Sequence, residues 1–311
     1  MNKLTIRPKS QFHGSEFFAV FICIGHESRC THFASLKPPA KEKIAFIYDN
    51  DQSPRTTQNR KIISELGFVQ LNSSECNLRQ LIKDIVARCS HLEEPTRRIA
   101  VDISSMTREL MAIWVYTIMD AQNANSVEIS FVYSHAKFSP PPEQVPLAKE
   151  LHSITPEFAG MFSDSTAPVM LLIGLGYEPE LALSFIEYLE PAKLLVFEPA
   201  HHEKSYTKSI HVKNAMFFKT IKNTPLIRYN VFAPYLLFQD LESAIQGAAY
   251  DHRVHIAPYG VKIFAIASLL AASLHYPKVF IWNLNTDPNG QEHDRVADGK
   301  ISEIVAETGT V

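Results

Sequence analysis

The sequence predicts an α/β protein with two tandem Rossmann-like domains, each on a parallel sheet. Three observations carry that expectation. Apolar runs of strand length alternate with helical segments along most of the chain, the pattern of βαβ units and a parallel sheet. A proline-rich stretch, Ser139-Pro140-Pro141-Pro142 with Pro146 and Pro156 beyond, interrupts the alternation near the middle, and proline suits neither a helix interior nor a central strand. After it the same series of segments starts again. At about 100–200 residues per domain, a chain of 311 residues has room for two.

In the first half, Phe17–Ile24 is a continuous apolar run rich in Phe, Val and Ile, suited to a strand buried on both faces. Lys43–Tyr48 is the second strand and runs into Asp49-Asn50-Asp51. Arg55–Leu66 reads as a helix with Ile62, Ile63 and Leu66 apolar, stopped by Gly67. Phe68–Leu71 is a short strand. Leu78, Leu81, Ile82, Ile85 and Val86 recur with the spacing of one helix face. Arg98–Ile103 is a strand, Thr107–Asp120 an apolar helix, and Ser126–Tyr133 the next strand. In the second half, Val169–Ile173 is a strand closed by Gly174-Leu175-Gly176, and Leu181–Leu189 is a helix. Lys193–Phe197 is a strand ending in Glu198-Pro199, followed by a helix at Leu236–Ala249. Arg253–Ile256, Lys262–Leu274 and Lys278–Trp282 complete the series as strand, helix and strand. The expected division is residues 1–137, a connector over 138–166, and a second domain over 167–311.

The halves also rhyme residue by residue. Ile24–Glu27 (IGHE) answers Leu175–Glu178 (LGYE), and Phe46–Asp49 (FIYD) answers Leu195–Glu198 (LVFE). Arg98–Leu110 answers Arg253–Ala265, and Phe131–Tyr133 answers Phe280–Trp282. Four matches in one order, at nearly constant spacing, point to an internal duplication.

Composition narrows the function. The chain carries 30 Lys and Arg against 33 Asp and Glu, a net charge of -3, without the basic excess of a duplex-DNA binder. The longest nearly apolar run, Ile263–Leu274, has 12 residues, and a spanning helix needs about 20. Met1–Glu16 is polar, and Phe17–Gly25 is too short for a signal peptide core and reads as a strand. The four cysteines make no disulfide framework. A cytoplasmic protein without a membrane segment is expected.

In open parallel sheets, ligands bind outside the carboxyl ends of the strands. The first candidate loop is therefore Gly25-His26-Glu27-Ser28-Arg29. Its glycine permits a tight turn, and Arg29 offers a fork to a phosphate or carboxylate. The alternative is a local ion pair of Glu27 and Arg29. The second loop is Asp102-Ile103-Ser104-Ser105-Met106-Thr107-Arg108, where hydroxyls and the free N–H groups of a helix start make a phosphate site. Capping by Ser104 or Ser105, with Glu109 closing a capping box, is the alternative. It leaves Asp102, the second serine and Arg108 unexplained.

In the second half, Gly176 and Glu178 follow the first strand, and Tyr259, Gly260 and Lys262 occupy the later loop. Lys262 stands against the helix dipole, which favours an anion nearby. Gly174-Leu175-Gly176 is part of a dinucleotide fingerprint with Glu198 as its acid, but Pro179 stands where the third glycine belongs. No NAD, S-adenosylmethionine or other cofactor is expected. Cys23, His26, Cys30 and His32 do not converge as a metal cluster. His201-His202 precedes Lys204, Lys208, Lys213, Lys219 and Lys222, with Glu203 the one acid before residue 223. This stretch, 201–222, offers contacts to nucleic-acid phosphates or is a solvated face. The sequence has no G-x-S-x-G elbow, P-loop or H-E-x-x-H. The first half holds the denser polar set and is the favoured site.

Two Rossmann-like halves, each with a polar turn after strand 1 and a polar loop entering the strand-4 helix, resemble the CRISPR-associated Rossmann fold (CARF) group and the related SAVED sensors of prokaryotic antiviral systems. The strand-4 loops carry the likeness through a basic residue, Arg108 or Lys262, beside hydroxyls or glycine. The Gly-Gly-Thr-Lys-like residues common in that group are replaced. The resemblance implies a cyclic-oligonucleotide or other phosphorylated ligand at the strand ends. It also implies a protein partner carrying the effector activity. Three readings stay open: a sensor or accessory subunit without chemistry of its own, a nucleotide-processing enzyme, or an interaction subunit of a defence complex. In the enzyme, Glu27 and Asp102 would be the catalytic candidates, with Arg29 and Arg108 on the phosphate charge. The pseudo-symmetric halves allow either a self-contained pair or a homodimer.

Overall fold

The computed structural model describes residues 3–10, 14, 16–48, 53–74, 76–121, 123–141, 148–221, 224–286 and 294–309. Asp49, Asn50, Asp51, Pro142, Pro146 and Lys222, singled out above, lie outside them. The chain order begins β1 (Thr5–Arg7), β2 (Phe17–Ile24), a 3₁₀ turn (Ser28–Thr31), α1 (His32–Ser35), β3 (Ala40–Ile47), α2 (Pro54–Glu65) and β4 (Val69–Asn72). It continues with α3 (Leu78–Ser90), β5 (Arg98–Asp102), α4 (Arg108–Asp120), β6 (Glu128–Ala136), β7 (Ala148–Ser153) and a 3₁₀ turn (Pro156–Phe158). Then come β8 (Val169–Gly174), α5 (Pro179–Leu189), β9 (Lys193–Ala200), α6 (Lys204–Lys213), α7 (Ala215–Thr220) and β10 (Leu226–Asn230). Last are α8 (Pro234–Ala248), β11 (Arg253–Ala257), α9 (Lys262–Leu274), β12 (Val279–Thr286) and β13 (Ala297–Glu307).

The chain forms two compact units, Met1–Lys137 with Glu292–Val311, and Phe138–Gln291. In unit 1 the sheet order is β1-β13-β6-β5-β2-β3-β4. The five strands from β6 to β4 are mutually parallel. In unit 2 the order is β10-β9-β8-β11-β12-β7, with the five from β10 to β12 parallel. Numbered within its own half, each parallel set runs 3-2-1-4-5, the doubly wound order. The rhyming segments fall on equivalent strands, β2 with β8, β3 with β9, β5 with β11, and β6 with β12.

The structure departs from the expected layout at the sheet edges. Each parallel set is extended by antiparallel pairing, β7 on β12 in unit 2, and β13 on β6 with β1 beyond in unit 1. These strands are exchanged between the halves of the sequence. β7 follows β6 in the chain but pairs with β12, and β13 follows β12 but pairs with β6. The expected connector over 138–166 therefore contains a strand and a turn of unit 2. The last residues, assigned to the second domain, pack in unit 1.

The cores follow from the apolar strands. All of β2 beyond Phe17 is buried, and Trp114 of α4 packs edge-on against Phe21 with centroids 4.7 Å apart. Arg98 and Glu128, both buried, pair at 3.0 Å where β5 and β6 begin. In unit 2, α9 is buried from Ile263 to Ser273, and Phe264 packs on Phe197 at 5.3 Å. Among the described residues, no helix is long and apolar enough to cross a membrane.

His255 in β11 gives this core a pH dependence. It is buried, accepts from Trp282 Nε1 at 2.9 Å, and stacks between Phe162 and Phe280. Burial, with Arg253 adding, lowers its pKa from 6.5 to about 4. The unfolded chain gains a proton here below pH 6.5 that the folded chain resists, so stability falls as pH drops from 6.5 towards 4, by about 3 kcal/mol at most. Denaturant unfolding at pH 7 and pH 4.5 should show this increment, and His255→Gln should lack it.

Candidate functional site

Parallel pairing brings the candidate loops of unit 1 to one edge. β2 lies between β3 and β5, so Gly25–Arg29, Tyr48 and Ile103–Arg108 all leave at the same carboxyl end. The first and second loops touch, since a Cβ on Gly25 would stand 3.7 Å from Ser105 Cβ. Asn59, buried on α2, fixes the first turn by donating to the carbonyls of Gly25 at 2.8 Å and Glu27 at 3.2 Å.

Arg29 turns inward and is 2% exposed. Its Nε donates to Glu27 Oε2 at 2.6 Å, its Nη1 to the Tyr133 hydroxyl at 2.7 Å, and its guanidinium lies over the Tyr133 ring. Burial alone would lower its pKa, but Tyr133 and Glu27 outweigh this and raise it. The other Glu27 oxygen accepts from Arg295 Nη1 at 3.1 Å. Asp294 accepts from both the amide and the hydroxyl of Ser28, each at 2.7 Å, and pairs with Arg55. The Arg29 amide donates to the Arg295 carbonyl at 3.0 Å. Burial opposes ionisation of Asp294, yet the Ser28 donors and Arg55 hold its carboxyl below the usual range. Arg29 is thus a structural cation, not a ligand fork reaching from the loop. The local ion pair of Glu27 and Arg29 expected as one alternative for this turn is present.

In the second loop, Asp102 Oδ1 accepts from the Ser104 amide at 2.8 Å and its hydroxyl at 2.5 Å. Ser104 Oγ in turn accepts from the Ser134 amide of β6 at 2.8 Å. The helix cap is Thr107, whose Oγ1 accepts from the Leu110 amide at 3.2 Å. Neither Ser104 nor Ser105 caps α4, and Glu109 closes no box on them, because the helix starts three residues after Ser105. The Tyr48 hydroxyl accepts from the Thr107 amide at 3.0 Å and holds the helix start. His26 and Arg108, both half-buried, also stand at this mouth, with Ser105. Ser105 Oγ is buried and has no hydrogen-bond partner among the described residues. Cys30 packs beneath, its Sγ 3.6 Å from the Gly25 carbonyl and its thiol pushed up to about 12 by burial.

The equivalent mouth of unit 2 is shut by backbone. A Cβ on Gly176 would lie 3.0 Å from Gly260 Cα, and one on Gly260, where φ is +76°, would lie 2.1 Å from the Leu175 carbonyl oxygen. These glycines serve contact between the two loops, and Glu178 folds back over Gly176. Asn214 repeats the role of Asn59, donating to the Gly176 carbonyl at 2.8 Å. Tyr259 packs on Phe185. Lys262 is half-buried as the first residue of α9, whose cap, Val261, offers no side-chain acceptor. Glu198 is fully buried between His211 Nδ1 at 3.0 Å and Arg228 Nε at 2.7 Å.

Sequence reasoning missed Tyr48, Arg55, Asn59, Tyr133, Asp294 and Arg295 in unit 1, and His211, Asn214 and Arg228 in unit 2. Only the asparagines left a signal. Asn59 and Asn214 stand in the spacing of the repeat, and extending the rhyme into α2 would have found them.

No protein-family model matches the chain, and no curated protein matches it. Among solved structures it is similar to a Type III CRISPR defence DNA nuclease activated by cyclic oligoadenylate. The TM-score is 0.51 and the identity 8%, over 90% of this chain and 68% of that one. A leucoanthocyanidin reductase with NADPH from Vitis vinifera aligns over 85% of this chain and 92% of that one, at TM-score 0.25 and 7% identity, too low to carry an argument. The first likeness shows the fold.

Arg29→Ala leaves the Glu27 carboxylate and the Tyr133 hydroxyl without their buried cation. Breaking a buried pair from one side costs about 3–5 kcal/mol, so denaturant unfolding should register a loss of that size. Arg108→Ala, at a half-buried position, should cost under about 1 kcal/mol.

Proposed function

We propose that the chain is a ligand sensor or accessory subunit of a prokaryotic antiviral defence system, binding a nucleotide or other phosphorylated ligand at the carboxyl edge of unit 1. One observation carries the reading. Where the loops after β2 and β5 meet, the Ser105 hydroxyl is without a partner among the described residues and faces Gly25, which has no side chain to intervene. Arg108 and the start of α4 stand beside it, and a helix start favours an anion. The tight backbone contact in unit 2 supports unit 1 as the live half.

The same geometry favours binding over chemistry. Glu27 and Asp102, the carboxylates an enzyme would use, hold Arg29, Arg295 and Ser104 in place. The effector activity then belongs to a protein partner, and the protein works in the cytoplasm. Cyclic oligoadenylate is the first ligand to try, because the structural neighbour is activated by it.

Thermal denaturation with cyclic oligoadenylates, linear oligoadenylates and NADPH tests this. At 100-fold over its dissociation constant a ligand stabilises by about 2.7 kcal/mol. A cyclic oligoadenylate should raise Tm, Ser105→Leu and Arg108→Ala should each abolish the shift, and Lys262→Ala should keep it. A shift lost with Lys262→Ala and kept in both others would move the site to unit 2.

A further inference from the structure

Unit 2 carries a second set of groups that the mouth of unit 1 does not use. From Lys204 to Gln239 the sequence holds no Asp or Glu and six cations: Lys204, Lys208, Lys213, Lys219, Lys222 and Arg228. The whole chain has a net charge of -3, so positive charge is concentrated here. The described cations sit on α6, α7 and the edge strand β10. Lys204, Lys208, Lys219, Arg228 and His211 are all exposed.

A solvated lysine face would have no fixed geometry, and this one has. Glu198, fully buried near the end of β9, grips Arg228 by Nε and His211 by Nδ1. Held that way, Arg228 keeps both terminal amino groups, and His211 keeps Nε2, on side chains 62% and 54% exposed. The His211 ring is also fixed by stacking on Phe218 at 4.9 Å. One oriented guanidinium on a buried carboxylate matches a phosphate better than mobile ammonium groups do.

Beyond the other end of α6 is a cluster of rings. Exposed His202 lies 4.1 Å from His201 and 4.9 Å from Phe232, and His201 lies 5.1 Å from Tyr206. Aromatic surface beside a cationic track is the combination that binds unpaired bases and their backbone. Duplex would offer phosphates to the cations but no open base face to the rings.

We propose that this face of unit 2 binds single-stranded nucleic acid, with Arg228 and the α6–α7 lysines on phosphates and His202 and Phe232 against bases. The proposal does not rest on the unit 1 ligand, and either can fail alone. Fluorescence anisotropy with labelled 15-mers of U and of dT, the matching duplex, and unlabelled polyphosphate as competitor tests it on the whole chain. At least one single-stranded 15-mer should bind more tightly than duplex. Its affinity should fall about 50-fold between 50 and 200 mM salt if four phosphates are neutralised. Arg228→Ala and Phe232→Ala should each weaken binding about tenfold, with Phe232→Leu as the variant that keeps the packing, and Lys262→Ala should change nothing. The 15-mer that binds identifies RNA or DNA as the preferred strand. No binding at 50 mM salt, equal binding of duplex, or polyphosphate competing equally with no effect of either Phe232 variant would overturn it.

Discussion

The return of the chain end to unit 1 is the constraint on which the first half depends. Without residues 292–311, β6 would be an open edge and β1 would have no partner. β13 fills that place, pairing with β6 from Ala297↔Ala136 to Glu307↔Glu128. Side chains fasten it at its middle and just past its end, His135 to Ser302 at 2.6 Å and Thr308 to Asn123 and the Val127 amide at 2.9 Å each. Just before β13, Asp294 and Arg295 reach the turn after β2. The ordered β6 presents Tyr133 to Arg29, Arg29 orients Glu27, and the turn acquires its shape. The site at one end of the sheet is built partly by the last segment of the sequence.

This arrangement sorts the polar residues of the mouth. A buried guanidinium is tolerated only with its donors satisfied, and Arg29 consumes Glu27 and Tyr133 for that purpose. Asp102 and Ser104 are committed in the same way to the loop after β5. The Ser105 hydroxyl, by contrast, has no partner among the described residues. It is the group that the proposed phosphorylated ligand would meet on this fixed frame. Unit 2 uses the same frame differently, with glycines drawing its two loops together and its charged groups gathered around Glu198 instead.

Much of the frame is legible in the sequence because burial writes itself into composition. Phe17–Ile24 and Lys262–Leu274 have the same bounds in the sequence pattern and in the structure, since the first is apolar throughout and the second nearly so after Lys262. The exchanged strands are not legible. Ala148–Ser153 (AKELHS) carries two charges in six residues, and Ala297–Glu307 opens on Ala-Asp-Gly-Lys, which reads as a turn. Their pairing depends on partners more than 100 residues away. The loops are placed correctly by the rule of strand ends, but the role of each residue within them is not, because a sequence cannot distinguish an arginine facing solvent from one facing Tyr133. The capping residue was misplaced for a related reason. Asp102 and Ser104 stabilise an extended loop, which delays the start of α4 to Arg108.

Amide hydrogen exchange at Ser28 and Arg29 tests the dependence of the mouth on the chain end most directly. Both amides lie in a turn, and both donate to the returning segment, to Asp294 Oδ1 and to the Arg295 carbonyl. The account predicts slow exchange at both in the intact chain. It also predicts that Asp294→Ala speeds exchange at Ser28 while the buried amides of β2 stay protected. Exchange at Ser28 and Arg29 as fast as at an exposed loop residue such as Tyr250, in the intact chain, would contradict it.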